Sequence, residues 1–264
     1  MGATGCAVDS AKNHYILAEK LWGDRNYSAA VAEFEKVINK DPRGVLGQQA
    51  LYRAAMTQSL FLNQYSDAVL KLRRFSQNNS DAVATHSAQV QIGELLYSHL
   101  EQYDQAISHY RSLLKSDPLF PESPSFLYRV GKSHFFLFQF NDALQAYAEV
   151  IAKFPTSLWA EKSYFELGMT YFTRGESQLE GSSRGGLDFQ RAIEAFQKLI
   201  RLFPKSGLVP EARFGIASCK EELDQLDVAY RMYAELKTSF PSPQVIEIKL
   251  NRIRERLSHR SANR

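Results

Sequence analysis

Six alanines set the frame of this 264-residue chain. Ala30, Ala68, Ala106, Ala143, Ala192 and Ala229 stand 38, 38, 37, 49 and 37 residues apart, each in the same surroundings. Three residues earlier comes Tyr27, Tyr65, Tyr103, Phe140, Phe189 or Leu226, and four later Phe34, Leu72, Tyr110, Tyr147, Phe196 or Tyr233. Twelve later stands Pro42, Ser80, Pro118, Pro155, Pro204 or Pro241. A period this long, held through six cycles, predicts stacked units, none of which can bury its apolar face alone. The small residue lets two helices cross closely, and the large one a turn later fills the space between units. Proline, lacking an N–H, then ends the helix. A second apolar helix precedes each alanine helix, as at Leu17, Ala18 and Leu21 or Val130, Gly131 and His134, with breaks at residues 23–26 and 139–142.

Small residues on the first helix, with alanine, aromatic and proline on the second, resemble the tetratricopeptide repeat family over residues 11–243. The resemblance implies an all-α superhelical solenoid of about six helix–turn–helix repeats closed by a C-terminal capping helix. The period is longer than that family's usual 34 residues by about one helical turn. Two repeat ends, 153–157 (Lys-Phe-Pro-Thr-Ser) and 202–206 (Leu-Phe-Pro-Lys-Ser), precede a helix carrying Phe165-Glu166-Leu167-Gly168. They look like bacterial envelope repeat proteins: the BamD-type outer-membrane assembly lipoproteins and the coordinator of the Tol–Pal system. That likeness implies work in the periplasm or at the inner face of the outer membrane. The cytoplasm is the alternative.

The expected organisation is a flexible N-terminus over residues 1–10, the array over 11–243, and a basic capping helix and tail over 244–264. The 49-residue interval implies an insertion at 176–187 within repeat five. Its glycines lack the Lys-Ser/Thr ending of a phosphate loop, leaving a tolerated loop or a partner-contact loop. Net charge is +3, but residues 249–264 alone hold Lys249, Arg252, Arg254, Arg256, Arg260 and Arg264 against Glu255. Val245, Ile246, Ile248, Leu250, Ile253 and Leu257 recur there at helical spacing, as in a cap whose arginines face solvent. Contact with an acidic partner or anionic lipid is the alternative. The near-neutral array lacks the basic stripe of a nucleic-acid binder.

No catalytic constellation stands out. The six histidines are scattered, with no His-Glu-x-x-His and no Gly-x-Ser-x-Gly. His134 reads as packed between helices, and Cys219 as a small core residue. No enzyme activity, cofactor or metal is expected. Ala3-Thr4-Gly5-Cys6 looks like the end of a bacterial lipoprotein signal, which would make Cys6 a lipidation site. Only five residues precede it, without a charged start or apolar stretch. An ordinary cysteine is the other reading.

Aligned on the alanines, the first helices are expected to turn Tyr15, Glu19, Trp22, Arg53 and Phe61 towards an inner curve. Tyr128, Lys132, Phe135 and Phe136, then Lys162, Phe165, Met169 and Phe172, then Phe214, Glu221 and Glu222 would follow. Gly93 falls one place early in the third unit. Aromatics interspersed with single charges suit capture of a peptide, whereas aromatics at helical spacing also fill cores. Lys132, Lys162 and Arg53 discriminate, since they are hard to bury. Tyr15 and Glu19 stand where chaperone-binding tetratricopeptide domains place a carboxylate clamp, and would repel a chain terminus. The expected function is a noncatalytic scaffold gripping a protein, either an envelope assembly subunit or a client peptide. The alternative is a cytoplasmic or motility-complex adaptor that binds through the basic C-terminal helix.

Overall fold

The computed structural model describes the backbone of residues 3–118, 120–177 and 184–262, and the side chains of 10–118, 120–177 and 185–260. These residues form thirteen α-helices and no strand. Two compact units divide at His109 and Tyr110. The first holds α1 (Ala3–Gly23), α2 (Tyr27–Lys40), α3 (Val45–Phe61), α4 (Tyr65–Asn78), α5 (Ala82–Glu94) and a π-helical turn, Leu95–His99. The division falls within α6 (Tyr103–Ser116). The second holds α7 (Ser123–Phe136), α8 (Phe140–Lys153), α9 (Leu158–Ser177), α10 (Arg184–Leu202), α11 (Val209–Glu222), α12 (Leu226–Leu236) and α13 (Pro243–Ala262). No described helix is long and apolar enough to cross a membrane.

The six alanines are fully buried, as are Phe34, Leu72, Tyr110, Tyr147, Phe196 and Tyr233. In five repeats the aromatic or leucine three places before the alanine is the first residue of its helix. Three glycines on first helices of the second unit are seats for these rings. A Cβ at Gly131 would meet the Tyr147 ring at 2.5 Å, and one at Gly168 or Gly215 would lie under 3 Å from Phe196.

The mixed 37- and 38-residue spacing has a local cause. In repeats one, four and six the first helix ends in a Schellman motif, with Arg25, Phe138 and Asp224 at φ of 61°, 57° and 61°. The next N–H reaches five residues back: Asn26 to Leu21, Gln139 to His134, Gln225 to Lys220. In repeats two and three it reaches six, from Gln64 to Gln58 and from Gln102 to Leu96. That wider closure holds one extra residue, and in repeat three it is the π turn. The extra residue follows the small buried one, so Ala55 and Gly93 fall one place early relative to Ala18 and Gly131.

Several expectations need correction. Leu17 is 43% exposed, while Ala18 beside it is fully buried. His134 is half-exposed and hydrogen-bonds to Gln139 Oε1 at 2.7 Å, bracing the turn rather than packing between helices. Of the expected insertion, residues 178–183 lie outside the described residues. Residues 176–177 end α9 and 184–187 begin α10, so these parts lengthen two helices. In α13 only Ile246, Leu250, Ile253 and Leu257 pack inward, four, three and four residues apart. Val245 and Ile248 point out.

The arginines of α13 are exposed, as on a capping helix, and several of them also hold carboxylates at the end of α11 and in the turn after it. Glu221, fully buried at the end of α11, receives Lys249, Arg252 and Arg256, while Asp224 receives Arg256 and Arg260. Burial opposes the charge on Glu221, but the hydrogen bonds and charges of Arg252 and Lys249 outweigh it and hold the carboxyl below the usual range. Cys219 is buried as expected, and burial pushes its thiol up to about 12.

Candidate functional site

In the first unit the expected residues come together. Arg53 on α3 donates from Nε and Nη2 to both carboxylate oxygens of Glu19 on α1, and its guanidinium lies 4.7 Å over the Trp22 ring. These hydrogen bonds outweigh partial burial and raise the Arg53 pKa. Trp22 meets Phe61 edge-on at 6.0 Å, and Phe61 stacks on Tyr27 at 4.1 Å. Tyr15 meets Phe34 edge-on at 5.6 Å. Burial first, then the Glu19 charge, raises the pKa of its hydroxyl. Glu19 is therefore held by Arg53 rather than left as a bare repelling charge.

The second unit repeats the arrangement with the charges exchanged. Lys132 on α7 donates to Glu166 on α9 at 3.1 and 3.2 Å, and the Tyr128 hydroxyl donates to the same carboxylate at 2.9 Å. Both ion pairs span 34 residues. They join neighbouring first helices one turn short of equivalent positions, where side chains three residues apart share a face. Lys132 also lies over Phe135 and Phe136, at 5.5 and 5.2 Å. Trp159 carries Lys162 over its ring at 4.7 Å and packs against Tyr128 at 5.0 Å. Among the described residues Lys162 has no carboxylate partner, so of the three discriminating cations it alone keeps a free charge.

Phe165 and Phe172 take the places that Tyr128 and Phe135 take one repeat earlier. They are half-buried and pack on Phe196 and Phe189 of α10, at 5.7 and 5.6 Å, as Tyr128 and Phe135 pack on Tyr147 and Phe140 of α8, at 5.9 Å each. Cys6 lies outside the residues whose side chains are described. Trp159 and Glu166 were missed, although the signal was present: an acid 34 residues after Lys132 mirrors Glu19 and Arg53 with reversed sign. Also missed was a cleft of about 740 Å³ in the first unit, which Tyr15 and Arg53 share with Arg43, Gln48 and Asn79.

The tetratricopeptide repeat family model matches residues 87–119, 126–157, 162–206 and 211–243, more than half of the chain. No curated protein matches. Among solved structures, the C-terminal part of a repeat-containing protein from Cytophaga hutchinsonii is similar at TM-score 0.58 and 18% identity, over 85% of this chain and 78% of that one. PilW, a type IV pilus biogenesis factor, gives 0.54 and 17%, over 92% and 97%. A repeat protein from Parabacteroides merdae gives 0.52 and 13%, over 93% and 99%. At these identities the likenesses speak for the fold. The helix pairs, the buried alanines and the four matched copies agree, and the chain belongs to the tetratricopeptide repeat family.

Proposed function

We propose that this chain is a noncatalytic scaffold that holds a polypeptide segment on the outward faces of its first helices, within the bacterial cell envelope. The observation that carries the reading is the Tyr128–Trp159–Lys162 surface. Half-exposed rings there stand beside a cation with no carboxylate partner among the described residues, and rings with a nearby charge are efficient anchors for a bound chain. The envelope setting is supported by the resemblance of the repeat ends to BamD-type and Tol–Pal proteins. It also agrees with the role of the similar PilW as a type IV pilus biogenesis factor. A lipid on Cys6 would tether such a scaffold to a membrane. Binding through the basic C-terminal helix receives less support, because Glu221 and Asp224 already engage four of its basic side chains.

A photo-crosslinking residue placed at 162, with position 198 on the second-helix face as control, tests this reading in cells. Adducts with an envelope protein at 162, lost on Trp159→Ala and absent at 198, are expected. Equal adducts at both positions would remove the reading.

A further inference from the structure

α13 stands where the first helix of a seventh repeat would fall, with Arg254 following Ala217 by 37 residues, as Ala229 follows Ala192. The first helices before it are gripped on two sides: α9 packs on α8 and α10, and α11 on α10 and α12. α13 packs on α12, and its cations reach back to Glu221 of α11. No described helix packs on its other side. Asn251, Arg254 and Ser258, all exposed, stand where α9 sets Phe165, Gly168 and Phe172 against its second helix. A helix gripped on one side opens more readily than one gripped on two. The linker adds to this. Residues 237–242 turn the chain back from α12 to α13, and Phe240 stacks on Phe214 at 4.8 Å. Phe240 and Ser242 each precede a proline, and that position favours extended backbone. A short linker biased to extend but required to turn back invites exchange of its helix between chains.

The face under α13 is unsuited to water. Ala217, Leu226, Ala229, Tyr233 and Leu236 line it and meet Ile246, Leu250 and Ile253. Beside them Glu221 is fully buried, taking Lys249 Nζ at 3.1 Å and Arg252 Nε at 2.7 Å. Asp224 extends the demand for cations by engaging Arg256 and Arg260. The occupant of this seat must therefore be a helix with an apolar seam and cations three and four residues apart beside it. α13 meets that demand at every position, and a second copy brings the same helix. We propose that the seat on α11 and α12 takes α13 of a second copy of this chain, two chains exchanging this helix in a symmetric dimer. The exchanged form keeps every contact that α13 makes in the closed form, so the linker and the concentration of chains decide between them.

Native mass spectrometry of the full chain, opened in mild urea and returned to buffer, tests the exchange. A dimer that grows with chain concentration is expected. Inserting Gly-Ser-Gly-Ser between Pro241 and Ser242 should return it to monomer, because a flexible linker lets α13 fold back without strain. A mixing experiment then reports which helix fills which seat. Asp224→Arg alters the seat and Arg260→Glu the helix, and both side chains are about half-exposed, so neither change enters the core. Each variant alone carries its mismatch in closed and exchanged forms alike, whereas a mixed dimer restores opposite charges at both seats. The heterodimer should exceed its statistical share about fivefold. A dimer that ignores the insertion and is lost on Ile248→Ser, with no heterodimer excess, would assign the contact to the outer face of α13 and overturn the inference. Monomers alone at every concentration overturn it as well, as does a purely statistical mixture.

Discussion

The two units meet one packing requirement in different ways. Where the first helix must let a large neighbour close, the first unit uses Ala18 and Ala55, against Phe34 and Leu72 as fillers, and Gly93 in its third repeat. The second uses Gly131 and Gly168, which seat the Tyr147 and Phe196 rings on bare backbone, and Ala217, which packs in one cluster with Tyr233. An alanine seat keeps helix propensity and leaves a methyl group in the crossing, whereas a glycine seat gives up propensity for a closer approach. The charges differ as well. The first unit's Glu19–Arg53 pair is one-third exposed on both sides, while the second unit buries Glu221 completely under the cations of α13. The glycine seats of Tyr147 and Phe196 thus have less room to spare than the alanine crossings at Ala18 and Ala55.

Gly168→Val would test that contrast most severely. Two methyl-bearing branches would enter space held by the Phe196 ring, which is itself pinned from the other side by Gly215. A loss of about 3 kcal/mol is expected from overpacking, whereas Ala55→Gly in the first unit should cost about 1 kcal/mol, mainly in propensity. Urea unfolding followed by circular dichroism measures both. Similar losses would mean that the ring seats are not what separates the units.

The ion pairs give a smaller contrast. Glu221→Gln leaves Lys249, Arg252 and Arg256 around an uncharged amide. Because Arg252 and Arg256 are about half-exposed, they can relax into water, so the expected loss is about 2 kcal/mol, below that of a fully enclosed pair. Glu19→Gln should cost under about 1 kcal/mol. The pH dependence has a definite sign. The Glu221 carboxyl is held below the usual range in the folded state, so its contribution is present above the ordinary carboxylate pKa and is lost as pH falls through the depressed value. Acid should therefore weaken the docking of α13, and the Glu221→Gln protein should show less of that acid sensitivity. Equal acid sensitivity in parent and variant would place the titration elsewhere.

Much of this fold was legible because its spacing is a direct record of helix crossings. The alanines, rings and prolines occupy the places that their period assigns. The irregularity at Gly93 was visible, but its cause was not, since a π turn leaves no residue signature and shows only in where a backbone N–H finds its acceptor. The candidate site was legible by residue type and less so by direction. Tyr128 and Phe165 are both half-buried and both turn a ring onto the second helix of their own repeat, while Lys132 and Lys162 lie over neighbouring rings. Aromatic residues at one-turn intervals satisfy core and groove equally well, and only the neighbouring helix decides between them. The cleft around Gln48 was beyond reach, because it depends on how a loop folds back over Gly47.

The smallest predicted effect comes from the turns between paired helices. Five non-glycine residues there take left-handed dihedrals: Arg25, Asn63 and Glu101 in the first unit, Phe138 and Asp224 in the second. Asparagine and aspartate tolerate that region, but a bulky side chain does so only at a cost. Phe138 is also 76% exposed, and its described ring contact is edge-on to Phe140 at 6.1 Å. Phe138→Asn should therefore stabilise the chain by about 1 kcal/mol and raise its melting temperature by about 2–4 °C, while Asn63→Phe in the first unit should lower it by a similar amount. A melting temperature that falls on Phe138→Asn would show that the edge-on contact outweighs the backbone strain. In that case the two units would differ in how they hold their turns as well as their crossings.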